Sequence, residues 1–313
     1  MNHTPINVGI DTSKDQLDIG IIPSNQFFNV SNDDNGIASA IEKLLLINPG
    51  RVLIEATGRL ELPFAIAAYK AGLPIVICNA AHVHYFAKST GKLAKTDKLD
   101  AFIIAQYGAA HQPELTQLKP EKLQQISDLL TTRSQLLSLS TQQKNRLQRM
   151  PKVTHAPHQR VLKSIQKEIQ WLDKQLDKLA NEVPQWKHDM DILTSAHSVG
   201  KVLAFTLLSE LPELGSLNRR EVAALVGLAP MNRDSGNKTG KRFIRGGRHK
   251  IRTVLFVSMF TAIQHHPVLK PMYQRLLAQG KPKKVALIAC ARKQLITLNA
   301  MMKNRTYWNE NMA

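Results

Sequence analysis

Apolar and polar positions alternate in short runs over the first third of this 313-residue chain. Runs at 6–10, 17–22, 26–30, 51–54 and 74–78 are rich in β-branched residues and bounded by turn formers, which predicts five strands. Apolar residues recur every three or four positions at 35–47, 62–71 and 97–110, the spacing of helices with one buried face. From about 119 the alternation stops. Leu162, Ile165, Ile169, Leu172, Leu176 and Leu179 are spaced 3, 4, 3, 4, 3, an a/d seam. Leu123, Ile126, Leu130, Leu137 and Leu147 keep a similar but interrupted rhythm, with Arg133, Ser140 and Lys144 at seam positions. Met150-Pro151 through Pro157 separates the two segments. The pattern predicts a helical hairpin arm, able to pack on itself or to pair with another protomer. Beyond Ile192, Ser198-Val199-Gly200-Lys201 and the apolar stretch after it read as half of a helix-hairpin-helix. A polar, glycine-rich loop then runs from Asn232 to Gly240, followed by a basic, helix-like run to Ile263.

Three strands joined by tight turns, then helix, strand, helix, strand and helix, is the order of a ribonuclease-H-like domain. A plain doubly wound fold would not begin with three short strands. The expected architecture is therefore α/β plus α. Residues 1–118 form the ribonuclease-H-like domain, 119–185 a helical coiled-coil arm, and 186–313 a mainly helical C-terminal domain. No apolar run approaches the roughly 20 residues of a membrane span, and no secretory leader is evident. The reading is a soluble, unsecreted protein without a membrane partner. Cys78 and Cys290 lie in apolar surroundings far apart in sequence, which suits buried thiols better than a disulfide.

Charge sharpens the picture. The chain carries a formal +18, but residues 1–114 hold 9 Lys/Arg against 11 Asp/Glu, whereas residues 201–313 hold 20 against 5. A polyanion partner would bind mainly through the last third. Seven cations fall within fifteen residues that contain no acid: Lys238, Lys241, Arg242, Arg245, Arg248, Lys250 and Arg252. Phosphate-backbone contact is their natural use, with a solvated surface helix as the duller alternative.

Four carboxylates fall where such a sheet would carry metal ligands. Asp11 closes the first apolar run and Glu55 the fourth, while Asp97 and Asp100, three apart, begin a helix and share a face. Carboxylates at strand ends suit hard cations such as Mg²⁺, with Mn²⁺ as the alternative, and two-metal handling of phosphodiesters. Glu61 falls beyond Thr57-Gly58 and so outside the strand end. Asp15 and Asp18 fall on or near the first turn and are expected to be solvated. Ser235, flanked by glycine and basic residues, could approach a phosphodiester. By spacing alone, however, a Ser-Gly pair in a polar loop is more often a turn. The histidines show no zinc-like spacing, and the Gly236–Lys241 stretch is not a nucleotide P-loop.

Taken together, Gly9-Ile10-Asp11-Thr12-Ser13-Lys14, Glu55-Ala56-Thr57-Gly58, Lys95-Thr96-Asp97-Lys98-Leu99-Asp100-Ala101, and Gly227-Leu228-Ala229-Pro230 through Ser235-Gly236 to Gly240 with the basic helix resemble one family. It is the bridge-RNA-guided insertion-sequence transposases related to the Piv DNA invertase. The resemblance spans nearly the whole chain. It implies a RuvC-like DEDD domain in which Asp11, Glu55, Asp97 and Asp100 hold Mg²⁺. It also implies a C-terminal transposase domain in which Ser235 attacks the scissile phosphate. Further implications are a structured guide RNA, target and donor DNA as partners, a homo-oligomer (dimer or tetramer), and a prokaryotic, nucleoid-associated location in the cytoplasm. The turn His197-Ser198-Val199-Gly200 departs from the glycine-rich turn of many relatives. Three rival readings stand beside this one: a hydrolytic Holliday-junction-type nuclease, a non-catalytic nucleic-acid-binding protein, and an actin-like ATPase. The last lacks a second phosphate loop. A site-specific invertase of the same family would use the same residues.

Overall fold

In a computed structural model, described for residues 5–91, 96–232, 235, 240 and 242–309, the chain divides into two compact units, Met1–Lys119 and Pro120–Ala313. The first contains β1 (Asn7–Thr12), β2 (Gln16–Ile22), β3 (Gln26–Ser31), α1 (Asp34–Ile47), β4 (Arg51–Glu55), α2 (Leu62–Lys70), β5 (Ile75–Cys78), α3 (Ala80–Ser89) and α4 (Asp97–His111). The second contains α5 (Glu121–Arg149), α6 (His155–Asn181), α7 (Pro184–Ser195), α8 (Lys201–Glu210), α9 (Arg219–Val226), α10 (His249–His265), α11 (Leu269–Ala278) and α12 (Lys283–Asn304). All five expected strands are present. Helix α3 was not expected: one of its ten residues is buried, so its sequence shows almost no apolar period.

The sheet order is β3-β2-β1-β4-β5, with β1–β2 and β2–β3 antiparallel and β1–β4 and β4–β5 parallel. Side chains alternate faces along a strand, and the two faces have different covers. Val8, Ile10, Val52 and Ile54 pack with Ile37, Leu44, Phe64 and Ala68 from α1 and α2. On the other face Leu53, Val76 and Cys78 pack with Val83, Ile103 and Ile104 from α3 and α4.

Gly9, in the middle of β1, faces α4. A Cβ at this position would overlap the Ala101 carbonyl oxygen and the Ala105 backbone nitrogen. The helix therefore lies closer to the sheet than any side chain would allow. Thr96 starts it, its hydroxyl accepting from the Leu99 N–H at 3.3 Å, so the first turn carries Asp97 and Asp100. Acidic residues are favoured there by the unpaired N–H groups of the helix start.

In the second unit α5 and α6 form the expected hairpin, with Ile165, Leu172 and Leu176 of the seam buried. Arg133, a polar seam position, meets Asp173 across the hairpin at 2.7 Å. Ile126, Leu176 and Ala180 join one core with α7 to α12. By length and composition α12 alone, among the described residues, could cross a membrane. Its residues Ala286, Cys290, Leu295, Leu298 and Met301 are fully buried in this core instead. Cys78 and Cys290 are both buried free thiols, as expected.

The basic segment is anchored at both ends. The Met231 N–H donates to the Phe243 carbonyl at 3.1 Å, an isolated bridge that joins the chain on either side of residues 232–242. Gly246 and Gly247 both take φ of +69°, turning the chain before α10. Arg248 then donates two hydrogen bonds of 2.6 Å to the Glu213 carboxylate and one of 2.8 Å to the Glu210 carbonyl. Arg252 donates to the carbonyls of Gly246 and Val226.

Two outcomes follow from this packing. Gly9→Val should lower the stability of the first unit by about 1–3 kcal/mol through overpacking, seen as an earlier calorimetric transition; an unchanged transition would mean that α4 yields freely. The Arg248 bonds hold the Glu213 carboxyl below its ordinary 4.5. A depressed carboxylate stabilises above its unfolded pKa and loses that stabilisation as pH falls through the folded value. Wild type should therefore melt above Glu213→Gln at neutral pH, with the gap closing below about pH 4.5. A gap independent of pH would remove the ion pair as its cause.

Candidate active site

Strand parity decides which carboxylates meet. Asp11 lies two residues after Gly9, Glu55 two after Leu53 and Cys78 two after Val76, so all three share the face covered by α4. The β1–β4 register runs through Ile10↔Ile54, which brings Asp11 and Glu55 to the next step of neighbouring strands. The first turn of α4 adds Asp97 and Asp100 near Asp11, whose environment they influence directly. Burial is the first cause that raises the Asp11 pKa above 3.8, and the charge of Asp100 is the second. Asp97 and Asp18 push the same way, while the Thr12 N–H, donating to Oδ1 at 2.9 Å, pulls it down.

Asp18 corrects the expectation of a solvated residue. It sits in β2 directly opposite Asp11, is 4% exposed, and accepts a hydrogen bond of 2.8 Å from the Gln16 amide. Counting residues across the β1–β2 hairpin would have found it, because the tight turn pairs position 11 with 18. Like charges placed directly across two strands destabilise unless compensated. Asp15 is exposed, as expected. Glu61 serves the fold: its carboxylate is buried and accepts from the N–H groups of Thr57 and Arg59 at 3.0 and 2.9 Å, holding the turn that follows Glu55.

The donor set is all carboxylate oxygen, and it gathers negative charge that nothing in the set offsets. That chemistry fits a hard divalent cation. The side chains do not yet enclose one, for among the described residues no three of His, Cys, Asp and Glu stand close enough to hold an ion. Half-buried Asp11, Glu55 and Asp100 and exposed Asp97 leave the face open.

Ser235, in the second unit, is exposed. Lys238 and Lys241 lie outside the described residues. The remaining basic positions divide in two. Arg242 and Arg245 are exposed beside the Met231–Phe243 bridge. Arg248 and Arg252 are committed to internal carbonyls and Glu213, and Lys250 reaches Thr131 at 3.1 Å and Glu210 at 3.4 Å. The helical spacing of Lys241, Arg245, Arg248 and Arg252 is not realised as one helix, because α10 begins only at His249. Ahead of α8, Ser198 adopts φ +66° and Gly200 caps the helix, so the expected half hairpin is present with serine in the left-handed position.

Comparison with known proteins agrees in both units. Residues 8–155, with all four acidic positions, match a family model described as a transposase of the DEDD type of IS110. Residues 190–274, with Ser235 and the basic segment, match the transposase IS116/IS110/IS902 family. Pilin gene-inverting proteins of Moraxella bovis and Moraxella lacunata are each 27% identical over 314 residues, 96% of this chain and 97% of theirs. An uncharacterized 43.6 kDa protein of insertion element IS110 from Streptomyces coelicolor is 31% identical over 123 residues, 39% of this chain and 30% of that protein. With its two family domains in tandem and its acidic set inside the first, the chain belongs to the IS110 family of transposases, related to the pilin gene-inverting proteins.

Proposed function

We propose that the protein is an RNA-guided DNA recombinase of an insertion sequence that cuts, exchanges and rejoins strands. The observation that supports this is the placement of Asp97 and Asp100 by Asp11, with Glu55 at the end of the neighbouring strand on the same sheet face, within a chain whose two domains are those of transposases. The strand order 3-2-1-4-5, with the first two pairs antiparallel and the last two parallel, supports a RuvC-like reading of the first unit. Asp11, Glu55, Asp97 and Asp100 would hold Mg²⁺, with Mn²⁺ as the substitute. A bound divalent ion would neutralise phosphate charge and polarise the scissile phosphodiester.

The chain's own step is a transesterification. Ser235 Oγ forms a bond to phosphorus, the bond from phosphorus to the leaving strand oxygen breaks, and the serine proton ends on that oxygen. The phosphoserine keeps the bond energy, so a new strand hydroxyl can reverse the step and rejoin DNA. Exposed Arg242 and Arg245, with Lys238 and Lys241, would stabilise charge on the phosphate. Sequence choice would lie in a structured RNA that pairs with target and donor DNA, on a homo-oligomer acting at the nucleoid. A second reading, site-specific inversion by the same chemistry, is favoured by the near full-length likeness to the pilin gene-inverting proteins.

Incubating protein, Mg²⁺, RNA transcribed from the flank of the element and labelled DNA, then resolving products on a denaturing gel, tests the serine step. A covalent protein–DNA adduct should form with wild type and be absent with Ser235→Ala. Free cleaved ends, equal in both proteins, would instead indicate hydrolysis and leave Ser235 a loop residue.

Asp11→Asn should cut strand cleavage by roughly 10²-fold or more, beyond the usual cost of losing a group that only supports a metal ligand. Its stability should move the other way. A carboxyl with a raised folded pKa contributes fully below its unfolded value and loses that contribution as pH rises through the folded one. In chelator at neutral pH the variant should therefore melt at or above wild type, the difference closing as pH falls toward 3.8. A variant that melts lower at neutral pH would mark Asp11 as a structural carboxylate.

A further inference from the structure

We infer that the cleft between α3 and α4 is a stacking site for an unpaired nucleobase of the nucleic acid being processed, an inference that rests on the nucleic-acid reading of the acidic face. The cleft has a volume of about 380 Å³ and is lined by His82, Tyr85, Phe86, Ser89, Tyr107 and His111. On α3, positions 82, 85, 86 and 89 share one helical face, and on α4, positions 107 and 111 lie one turn apart. Tyr107 and His111 are stacked, with ring centres 4.7 Å apart and planes 24° from parallel. Phe86 meets both edge-on, at 5.7 and 5.4 Å.

Such a cluster is usually core, but here only its inner rings, Phe86 and Tyr107, pack against the core, and its rim is open. Tyr85 is 62% exposed, His82, Ser89 and His111 are exposed, and of the α3 side chains only Val83 is buried. The cluster is thus an open set of π faces with hydroxyl and imidazole hydrogen-bonding groups at its rim. Aromatic faces of this kind hold splayed-out bases with little regard to sequence, while rim groups reach base edges. Among the described residues no carboxylate lines the cleft, and Lys88 lies on α3, so these walls offer an approaching phosphate chain no repulsion.

Its place in the sheet gives it a purpose. Phe86 and Tyr107 pack against the buried cluster that contains Cys78, and Cys78 is the register partner of Glu55 across β4–β5. A base held here belongs to a nucleotide near the one whose phosphate lies at the acidic face. Strand exchange requires bases to leave one partner before pairing with another, and a neighbouring stacking site would shelter one during that interval.

The test is equilibrium binding by the full-length protein, with Ca²⁺ in place of Mg²⁺ so that the acidic face is compensated, read as anisotropy of labelled single-stranded DNA, single-stranded RNA and blunt duplex DNA. Tyr85→Ala removes an exposed ring and His111→Ala an exposed imidazole, so folding should survive, as melting would verify. Each should weaken single-strand binding about five-fold or more and leave duplex binding within about two-fold; Tyr85→Trp should restore it. Whichever of the DNA and RNA arms responds identifies the source of the base. Equal weakening on duplex, or no change on either single strand, overturns the stacking site and leaves the recombinase reading intact. Wild type that binds none of the three probes removes both.

Discussion

The approach of α4 to β1 is the constraint on which the acidic face depends. Backbone meets backbone at Gly9, because the Ala101 carbonyl and the Ala105 nitrogen occupy the space of a Cβ. Only then does the first turn of the helix bring Asp97 and Asp100 close enough to burden Asp11. A larger residue would push away the end of the helix that carries the chemistry. Gly108 repeats the device farther along, where a Cβ would run into the Leu53 side chain. The sheet and helix are thus spaced by absent side chains, while Thr96 fixes where the helix starts.

How much of this is legible in the residue pattern depends on how locally each feature is encoded. The five strands follow from alternation and the hairpin from its seam, since both periods report burial directly. The acidic set is legible as residues ending apolar runs, because strand parity is a matter of counting. Asp18 escaped because it was judged by its nearness to a turn, whereas its burial comes from pairing with β1. Helix α3 escaped because its exposed aromatic face carries no core signal. In the basic run the break at Gly246-Gly247 is legible in the glycine pair, but not that Glu213, encoded 35 residues before Arg248, claims that guanidinium.

That division of the cations has a physical logic. An arginine committed to internal carbonyls and a carboxylate cannot also be spent on a phosphate. Arg248 and Arg252 fix the approach to α10, and the Met231–Phe243 hydrogen bond joins the chain on either side of residues 232–242. Arg242 and Arg245 remain exposed beside it. The count of basic residues therefore overstates the phosphate contacts this segment can make, and its salt dependence should reflect the smaller number.

Charge also links the two ends of the chain. The first 114 residues carry a net −2, from 9 basic and 11 acidic side chains, and several of the acids are concentrated on one sheet face. A polyanion would be repelled there. The same repulsion acts within the protein, where it adds to burial, the larger cause, in raising the Asp11 pKa. One divalent cation would relieve both, compensating the carboxylates and the incoming phosphate together. Affinity for the polyanion need not come from that face, since residues 201–313 hold 20 basic against 5 acidic side chains. On the function proposed above, the acidic face would stay unfavourable to nucleic acid until metal and phosphate arrive together, which would tie cutting to an assembled complex and discourage cutting of whatever DNA the basic unit happens to meet.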